Sequence, residues 1–204
     1  MFPVVKHLLF SMNKESLKPI NMLNYYAQGA FPMADENGEI DWYQPKIRTI
    51  IPLDNYNIPR SLKKFMEISE YQFKYDGNVM EVVRQCARRK KTWISPELVE
   101  AYKGIHEIGF LHSVEVYQNN KLVGGLYGVT IGGAFFGESM FSKKSQASKS
   151  ALVKLLERLS KKGFVVLDIQ FLTPHLEMFG AKEIDFEEYI LLLEEAYKIE
   201  VSFL

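Results

Sequence analysis

The chain has 204 residues, 47% of them hydrophobic, which is enough for one folded domain or a main domain with a smaller companion. Its 25 Lys and Arg residues balance 25 Asp and Glu residues, so any contact with nucleic acid has to come from a local basic patch. Cys86 is the only cysteine, which excludes an internal disulfide framework and a cysteine-based zinc site. No apolar run of about eighteen residues and no signal-peptide pattern occurs, so the sequence predicts a cytoplasmic protein without a membrane span.

Residues 1–70 are predicted to form a small N-terminal subdomain without long helices, because six of the eight prolines lie in its first sixty residues. A short helix is predicted over 20–28, where Gly29 ends it, and Pro32 forces the preceding residue into an extended conformation. In the segment 42–53, β-branched residues recur in a loose alternation, which predicts a pair of strands inside this subdomain.

Residues 71–204 form the larger predicted domain. Apolar residues at helical spacing predict a helix from residue 79, and Ser95 is the predicted N-cap of a second helix. An antiparallel meander follows, with strands over 112–117, 121–129 and 134–141. After it come a helix from Ala147 to a stop at Gly163, an apolar strand over 164–167, and a last helix capped by Asp185. This order predicts an α+β fold with a mixed sheet, similar to the N-acetyltransferase-like (GNAT-like) fold.

Asp168 and Gln170 follow the apolar strand, at the end of a strand where ligands bind in many α/β sheets. If the chain stays extended, both side chains leave the same face. A carboxylate beside a neutral amide can orient an incoming amine and accept its proton, without the fixed positive charge of a lysine. Equally, Asp168 can cap the next turn and Gln170 can form a hydrogen bond to a loop. The catalytic and the structural interpretations therefore both stay open.

Glu138 interrupts the apolar third strand of the meander. A carboxylate there has to be paired, hydrogen-bonded or exposed to a cavity, because an isolated buried charge is very costly. Gly124 and Gly125 in the preceding strand allow a close approach to the sheet. The alternative is a Glu that faces solvent on a strand with glycine bulges.

A basic cluster precedes Trp93 and consists of Arg84, Arg88, Arg89, Lys90 and Lys91. Cations beside an aromatic residue are typical of a single-stranded nucleic-acid contact, although charge runs on helices are often solvated faces. Three more lysines that can meet phosphate lie at the start of the helix after the meander, namely Lys143, Lys144 and Lys149. The four histidines lack metal-ligand spacing, so no metal site is predicted.

A series of short motifs occurs in a fixed order over residues 25–189. The two most specific are Leu-Val-Gly-Gly-Leu-Tyr-Gly at 122–128 and Gly-Glu-Ser-Met-Phe-Ser at 137–142. Others are Gly-Ala-Phe-Pro at 29–32, Thr-Trp-Ile at 92–94, Ala-Ser-Lys at 147–149 and Asp-Ile-Gln at 168–170. In these motifs the chain resembles the leucyl/phenylalanyl-tRNA–protein transferases.

The resemblance implies an aminoacyltransferase that moves an amino acid, expected to be Leu or Phe, from the 3′ end of aminoacyl-tRNA to the N-terminal α-amine of a protein or peptide. The transfer marks the protein for degradation. It implies no cofactor and no metal, because the aminoacyl ester is already activated. We expect the chain to act as a monomer, with aminoacyl-tRNA and the protein N-terminus as its partners.

The resemblance also implies residue roles. Amine activation falls to Asp168 and Gln170. The donor pocket is expected to contain Glu138, Met140, Phe141, Gly124, Gly125 and Tyr127. Donor tRNA is expected to contact Trp93, Trp42 and Met33, together with the basic residues Arg84, Arg88, Lys91, Lys143, Lys144 and Lys149.

Three stretches of the N-terminal third depart from the family pattern. Met33 stands where family members have Trp, Trp-Tyr-Gln-Pro at 42–45 replaces Trp-Trp-Ser-Pro, and Ser-Met-Asn-Lys at 11–14 replaces a glycine-rich loop. Two alternatives to the transferase remain: a CoA-dependent N-acyltransferase of the same fold and a tRNA-binding protein without activity. The stretch 142–149 lacks the glycines that hold a CoA pyrophosphate, which disfavours the first alternative.

Overall fold

The computed structural model describes residues 14–89 and 92–204, so the predictions for residues 11–13 and for Lys91 lie outside the described residues. Its strands are β1 Phe31–Ala34, β2 Ile40–Tyr43, β3 Ile47–Pro52, β4 Gln72–Tyr75, β5 Leu111–Gln118, β6 Lys121–Ile131, β7 Ala134–Ser142, β8 Val166–Gln170 and β9 Lys182–Asp185. Its helices are α1 Pro19–Ala27, α2 Arg60–Ile68, α3 Val79–Ala87, α4 Pro96–Glu107, α5 Ala147–Lys162, α6 Pro174–Glu177 and α7 Phe186–Tyr197, with a 3₁₀ turn at Lys14–Leu17. None of these helices is long and apolar enough to cross a membrane.

A seven-stranded sheet in the order β4-β5-β6-β7-β8-β3-β9 forms the centre of the structure. The pair β7 and β8 is parallel and the other neighbours are antiparallel, so the predicted α+β fold with a mixed sheet is confirmed. The meander β5-β6-β7 is confirmed as well. Its first turn has positive φ at Asn119 and Asn120, which matches the twist of a tight antiparallel hairpin.

The helix ends follow the local signals in the sequence. The side chain of Ser95 accepts a hydrogen bond from the N–H of Leu98 at the start of α4, and Asp185 accepts one from Glu188 at the start of α7. Gly163 ends α5 with φ of 83°, a conformation that favours glycine. The strand predicted over 164–167 begins later than expected and runs through Asp168.

The segment 42–53 contains parts of two strands, as predicted, but the prediction that they form a pair is wrong. β2 pairs with β1 in a separate two-stranded sheet, whereas β3 lies between β8 and β9 in the large sheet. The reason is burial on both faces: Ile50 and Ile51 are both buried, as expected of a central strand. In the large sheet, β3 comes from before residue 70 and the other strands come from after it. The domain boundary expected at residue 70 stays a prediction.

Two buried apolar clusters cover the two faces of the large sheet. One packs against α1, α3, α4 and α7, and the other packs against α2 and α5. The ladder between β7 and β8 joins 134–136 to 166–168 only, and β7 then continues to Ser142 without β8. The two parallel strands diverge beyond this point and leave a gap in the sheet.

Candidate active site

Two adjoining cavities lie where β7 and β8 diverge. The first has a volume of about 310 Å³, and its wall is mainly apolar, with Leu126, Met140, Leu152, Leu155, Leu167 and Phe179. The second has a volume of about 320 Å³ and is lined by Phe31, Met33, Tyr43 and Phe171. The junction of the cavities, defined by the residues that line both, consists of Trp93, Glu138, Ile169, Gln170, Thr173 and Leu176. The pair suits a ligand with an apolar end and a planar end.

Glu138 reaches the junction from β7, as expected for a carboxylate that faces a cavity. Its Oε1 accepts a hydrogen bond from the hydroxyl of Tyr26 at 2.8 Å, and its Oε2 accepts one from Tyr102 at 2.7 Å. Burial raises the pKa of Glu138 to about 7, although the hydrogen bonds from the two tyrosines act in the opposite direction. No cation forms an ion pair with Glu138 among the described residues, so a bound cation would stabilise its charged form.

Asp168 is fully buried and lines neither cavity. Arg48 on β3 binds it through Nε at 3.0 Å from Oδ1 and through Nη2 at 2.6 Å from Oδ2. The hydroxyl of Tyr189 donates to Oδ2 at 2.8 Å, and the backbone N–H of Gln170 donates to Oδ1 at 2.9 Å. The sequence interpretation placed no fixed positive charge beside Asp168, and the structure corrects it because the guanidinium of Arg48 occupies that position.

Gln170 differs from the predicted extended geometry, because its φ of 59° lies in the left-handed region. The turn directs its side chain to the junction of the two cavities, while the preceding carboxylate of Asp168 points into the core. Sequence reasoning therefore found both residues but missed Arg48 and Tyr189. The signal for Arg48 was a charged residue inside the apolar strand Ile47–Pro52, the same kind of signal that singled out Glu138.

Trp93 and Met33 lie where a planar ligand group can reach them. Trp93 is half-buried and lines both cavities, and its carbonyl accepts the N–H of Ala34, which ties its loop to β1. Met33 lines the second cavity. Trp42 is only 1% exposed and packs against Tyr25 and Tyr26, so the expected contact between Trp42 and tRNA is wrong. Its position on β2 turns it toward the core.

The expected donor-pocket residues divide into two groups. Met140 and Tyr127 line the first cavity, whereas Phe141 is buried and does not. A Cβ at Gly124 would lie 2.5 Å from the Cβ of Ala147, and one at Gly125 would lie 2.8 Å from a backbone oxygen. Both glycines therefore serve close packing against α5 and within the sheet, and the structure corrects their expected place in the pocket wall.

The predicted basic patch is also divided. Arg84 and Arg88 are exposed and pair with Glu81, at 3.1 and 3.8 Å. Arg89, which received no separate role, lines the first cavity, and its Nη2 donates to Ser139 at 2.6 Å. Lys149 lines the same cavity. Outside the cavities, exposed lysines follow β7 at Lys143 and Lys144.

A mainly apolar cavity with a few charged and amide side chains in its lining, between two diverging strands of a mixed sheet, suits an enzyme that transfers an apolar acyl group. A family model described as leucyl/phenylalanyl-tRNA protein transferase matches residues 50–194, and the model of its N-terminal domain matches residues 16–46. The chain therefore belongs to the leucyl/phenylalanyl-tRNA–protein transferase family and is an aminoacyltransferase. The resemblance inferred from the motifs is confirmed.

Curated relatives match the chain over nearly its whole length. It is 47% identical over 188 residues to the leucyl/phenylalanyl-tRNA–protein transferase of Herpetosiphon aurantiacus, which covers 92% of this chain and 98% of the relative. It is 44% identical over 193 residues to that of Chlorobaculum parvum, with 92% and 100% covered. A functionally unknown protein from Staphylococcus epidermidis aligns with a TM-score of 0.45 at 8% identity, over 87% of this chain and 66% of that one. This TM-score is too low for a conclusion about the fold.

Proposed function

We propose that the chain transfers Leu or Phe from the 3′ end of aminoacyl-tRNA to the N-terminal α-amine of a protein and so marks that protein for degradation. The first cavity is the observation that carries the proposal. Its apolar wall fits an uncharged side chain of that size, and Glu138 at its mouth can bind the α-ammonium of the donor. A charged donor side chain would lose its hydration without a partner, and a small one forfeits about 0.8 kcal/mol of burial per methylene.

The transfer step conserves atoms and charge without a further reactant. The amine nitrogen of the acceptor attacks the carbonyl carbon of the ester, a C–N bond forms, and the bond from that carbon to the ribose oxygen breaks. The proton lost by the amine goes to the ribose oxygen. An α-amine has an ordinary pKa of about 7.7–8.0, so part of it is unprotonated near neutral pH and little assistance is needed.

Gln170 and Asp168 act together on this step. The amide of Gln170 lines both cavities, so its oxygen can accept a hydrogen bond from the incoming amine at the junction. Asp168 lines neither cavity, and we assign its influence to the hydrogen bond that it accepts from the backbone of Gln170. This assignment replaces a direct proton transfer to Asp168.

The tRNA end occupies the second cavity and the surface beside the first one. The terminal adenosine stacks on Trp93 and contacts Met33, because both side chains border the second cavity. Arg89 and Lys149 bind phosphate at the mouth of the first cavity. Contacts farther along the strand come from exposed cations, namely Arg84, Arg88, Lys143 and Lys144.

The proposed fold class of the large domain is GNAT-like. The meander β5-β6-β7, the following helix α5 and the parallel pair of β7 and β8 support it, since the diverging pair opens the acyl-group cavity. A bound CoA is disfavoured because α5 begins at Ala147 after Gln146, without a glycine-rich loop to hold a pyrophosphate.

Competition among charged tRNAs tests the proposal. The purified chain receives leucyl-, phenylalanyl- and arginyl-tRNA in equal amounts together with peptides that differ only in their first residue, and the products are identified by mass. We expect leucyl and phenylalanyl products at the peptide N-terminus. Preferred transfer of arginine would contradict the apolar donor pocket, and tRNA binding without any product would contradict the enzyme.

A further inference from the structure

We propose that Arg48 and Tyr189 are positioning residues for the transfer step: they fix the carboxylate of Asp168, and that carboxylate fixes the backbone of Gln170 at the junction of the two cavities. The inference rests on the proposed function, because it concerns the attack of the acceptor amine beside Gln170. It differs from a role of Asp168 as a proton acceptor, since that carboxylate is buried and lines neither cavity.

The hydrogen bonds around Asp168 leave no room for a substrate. Arg48, Tyr189 and the N–H of Gln170 supply donors to both carboxylate oxygens, at distances from 2.6 to 3.2 Å. Arg48 and Asp168 are both fully buried, so water does not compete for these bonds. The carboxylate is thus held in one orientation from three directions.

The backbone of Gln170 needs such support. Its φ of 59° is uncommon for a residue with a side chain, and the next residue forms a tight turn through Phe171 N–H and the carbonyl of Ile169, at 2.7 Å. Conformations of this kind persist where the surrounding structure holds them. The bond from the N–H of Gln170 to Asp168 holds this one together with the turn between Ile169 and Phe171, and it ties the position of the amide side chain at the junction to Asp168.

The ion pair between Arg48 and Asp168 is better explained by the position that it gives to Gln170 than by a contribution to the free energy of unfolding. Buried ion pairs are often no more stabilising than apolar residues of the same volume, because both charges lose their hydration. Here the guanidinium of Arg48 lies 4.5 Å from the ring centre of Phe31 and 4.9 Å from that of Tyr189, and its Nη1 has no partner in the described structure. Together with Tyr189, the pair joins β3, β8 and α7 beside the junction. It therefore fixes the position of Gln170.

The first test compares two tyrosines on α7 by the same substitution. Tyr189→Phe removes one donor to Asp168, whereas Tyr197→Phe removes a hydroxyl that donates to the carbonyl of Ala27 at 3.0 Å. We expect Tyr189→Phe to lower kcat roughly three- to tenfold, as for one lost hydrogen bond, while the KM for aminoacyl-tRNA stays within about twofold. Tyr197→Phe should change neither constant by more than about twofold. Equal constants in the two variants would overturn the inference.

The second test removes both charges and keeps the hydrogen bond between residue 168 and the N–H of Gln170. In the double variant Arg48→Gln with Asp168→Asn, an amide oxygen at position 168 can still accept from the N–H of Gln170. We expect kcat within about tenfold of the wild type and an unchanged pH profile of kcat. A loss of roughly 100- to 10,000-fold in a variant with wild-type thermal unfolding would show that Asp168 is a proton acceptor and would overturn the inference.

A third measurement keeps the inference testable if the double variant does not fold. The amide resonance of Gln170 in the spectrum of ¹⁵N-labelled protein should shift in Tyr189→Phe and stay in place in Tyr197→Phe, and equal spectra would overturn the inference. A wild-type chain that forms no peptide product from any charged tRNA would instead contradict the proposed function. The two failures are therefore distinguishable.

Discussion

Arg89 provides a sharp test of how the donor is held. Its guanidinium lines the first cavity, where it donates from Nη2 to Ser139 and from Nε to the carbonyl of Cys86. Unlike Arg84 and Arg88, it has no acidic partner among the described residues. A cation held in place without a counterion is available to a phosphate of the tRNA end.

We expect Arg89→Met to weaken a donor that carries a phosphate and to leave a donor without one unchanged. A hydrogen bond to a charged group contributes about 1.5–3 kcal/mol, and the low end applies here because Arg89 is exposed to solvent. A loss of about 1.5 kcal/mol corresponds to roughly a tenfold decrease in kcat/KM. Arg89→Met also removes the hydrogen bond to Ser139. This loss is the same whichever donor is used, so it cancels when the two donors are compared.

The assay uses two synthetic donors that differ by one nucleotide. Phenylalanyl-adenosine has no phosphate, and phenylalanyl ester of the dinucleotide CpA has one phosphodiester beside the same adenosine. Arg60→Met, which removes an exposed arginine that lines neither cavity, is the matched control and should affect neither donor. An equal loss for both donors in Arg89→Met would refute the phosphate contact, and no loss for either would show that Arg89 is a solvated side chain.

Three further predictions concern the walls of the cavities. Trp93→Ala should weaken donor binding by about 1–3 kcal/mol through lost stacking, measured by competition with aminoacyl-adenosine, and an unchanged affinity would return Trp93 to a purely structural role. Leu155→Ala removes three carbon atoms from the first cavity and should lower kcat/KM for leucyl donors by up to roughly fiftyfold, with a smaller effect on phenylalanyl donors; equal effects would argue against this wall as the side-chain contact. Because the pKa of Glu138 is about 7, the affinity of the wild type for aminoacyl-adenosine should rise between about pH 6 and pH 7 as the carboxylate ionises, and Glu138→Gln should flatten that rise. The same group makes the free energy of unfolding fall as pH rises from its ordinary pKa toward 7, since the folded state holds its proton longer.

Five of the helices and the meander were predicted because their signals are local. The caps at Ser95 and Asp185 and the stop at Gly163 depend on residues within one turn, and the meander depends on alternation between short turns. The place of β3 in the large sheet was not predicted, because its neighbours β8 and β9 are far away in the sequence: Arg48 and Asp168 are 120 positions apart. A strand that is buried on both faces carries no pattern that identifies its partner.

Short elements with few buried residues were also missed. The helix Arg60–Ile68 buries one residue, Leu62, but Leu62, Phe65 and Met66 lie at helical spacing, a signal that the sequence analysis did not use. The strand Gln72–Tyr75 is an edge strand with alternating exposed and half-buried residues, and it follows that helix closely. Both elements therefore carried a local signal, an apolar stripe in the helix and alternation in the strand, although each spans few residues.

The site was predictable where a residue contradicts its surroundings. Glu138 in an apolar strand pointed to a cavity, and Arg48 in another apolar strand offered the same signal without being followed. Gly124 and Gly125 were misread because a glycine shows only that something comes close, and here it is α5 and the backbone rather than a ligand. The side that a residue faces depends on pairing register, which is why Trp42 was misplaced as well.

The contrast between the two carboxylates supports the proposed preference for an aminoacyl group over a plain acyl group. Asp168 has a permanent counterion in Arg48, whereas Glu138 has only the two tyrosine hydroxyls and a pKa raised to about 7 by burial. Among the described residues Glu138 thus has no ion-pair partner, and in the proposed function the α-ammonium of an aminoacyl ester supplies one. A plain acyl group brings no cation and leaves the carboxylate either protonated or uncompensated, so the same cavity binds it less well. Donor selection then follows from one unpaired carboxylate as much as from the apolar wall around it.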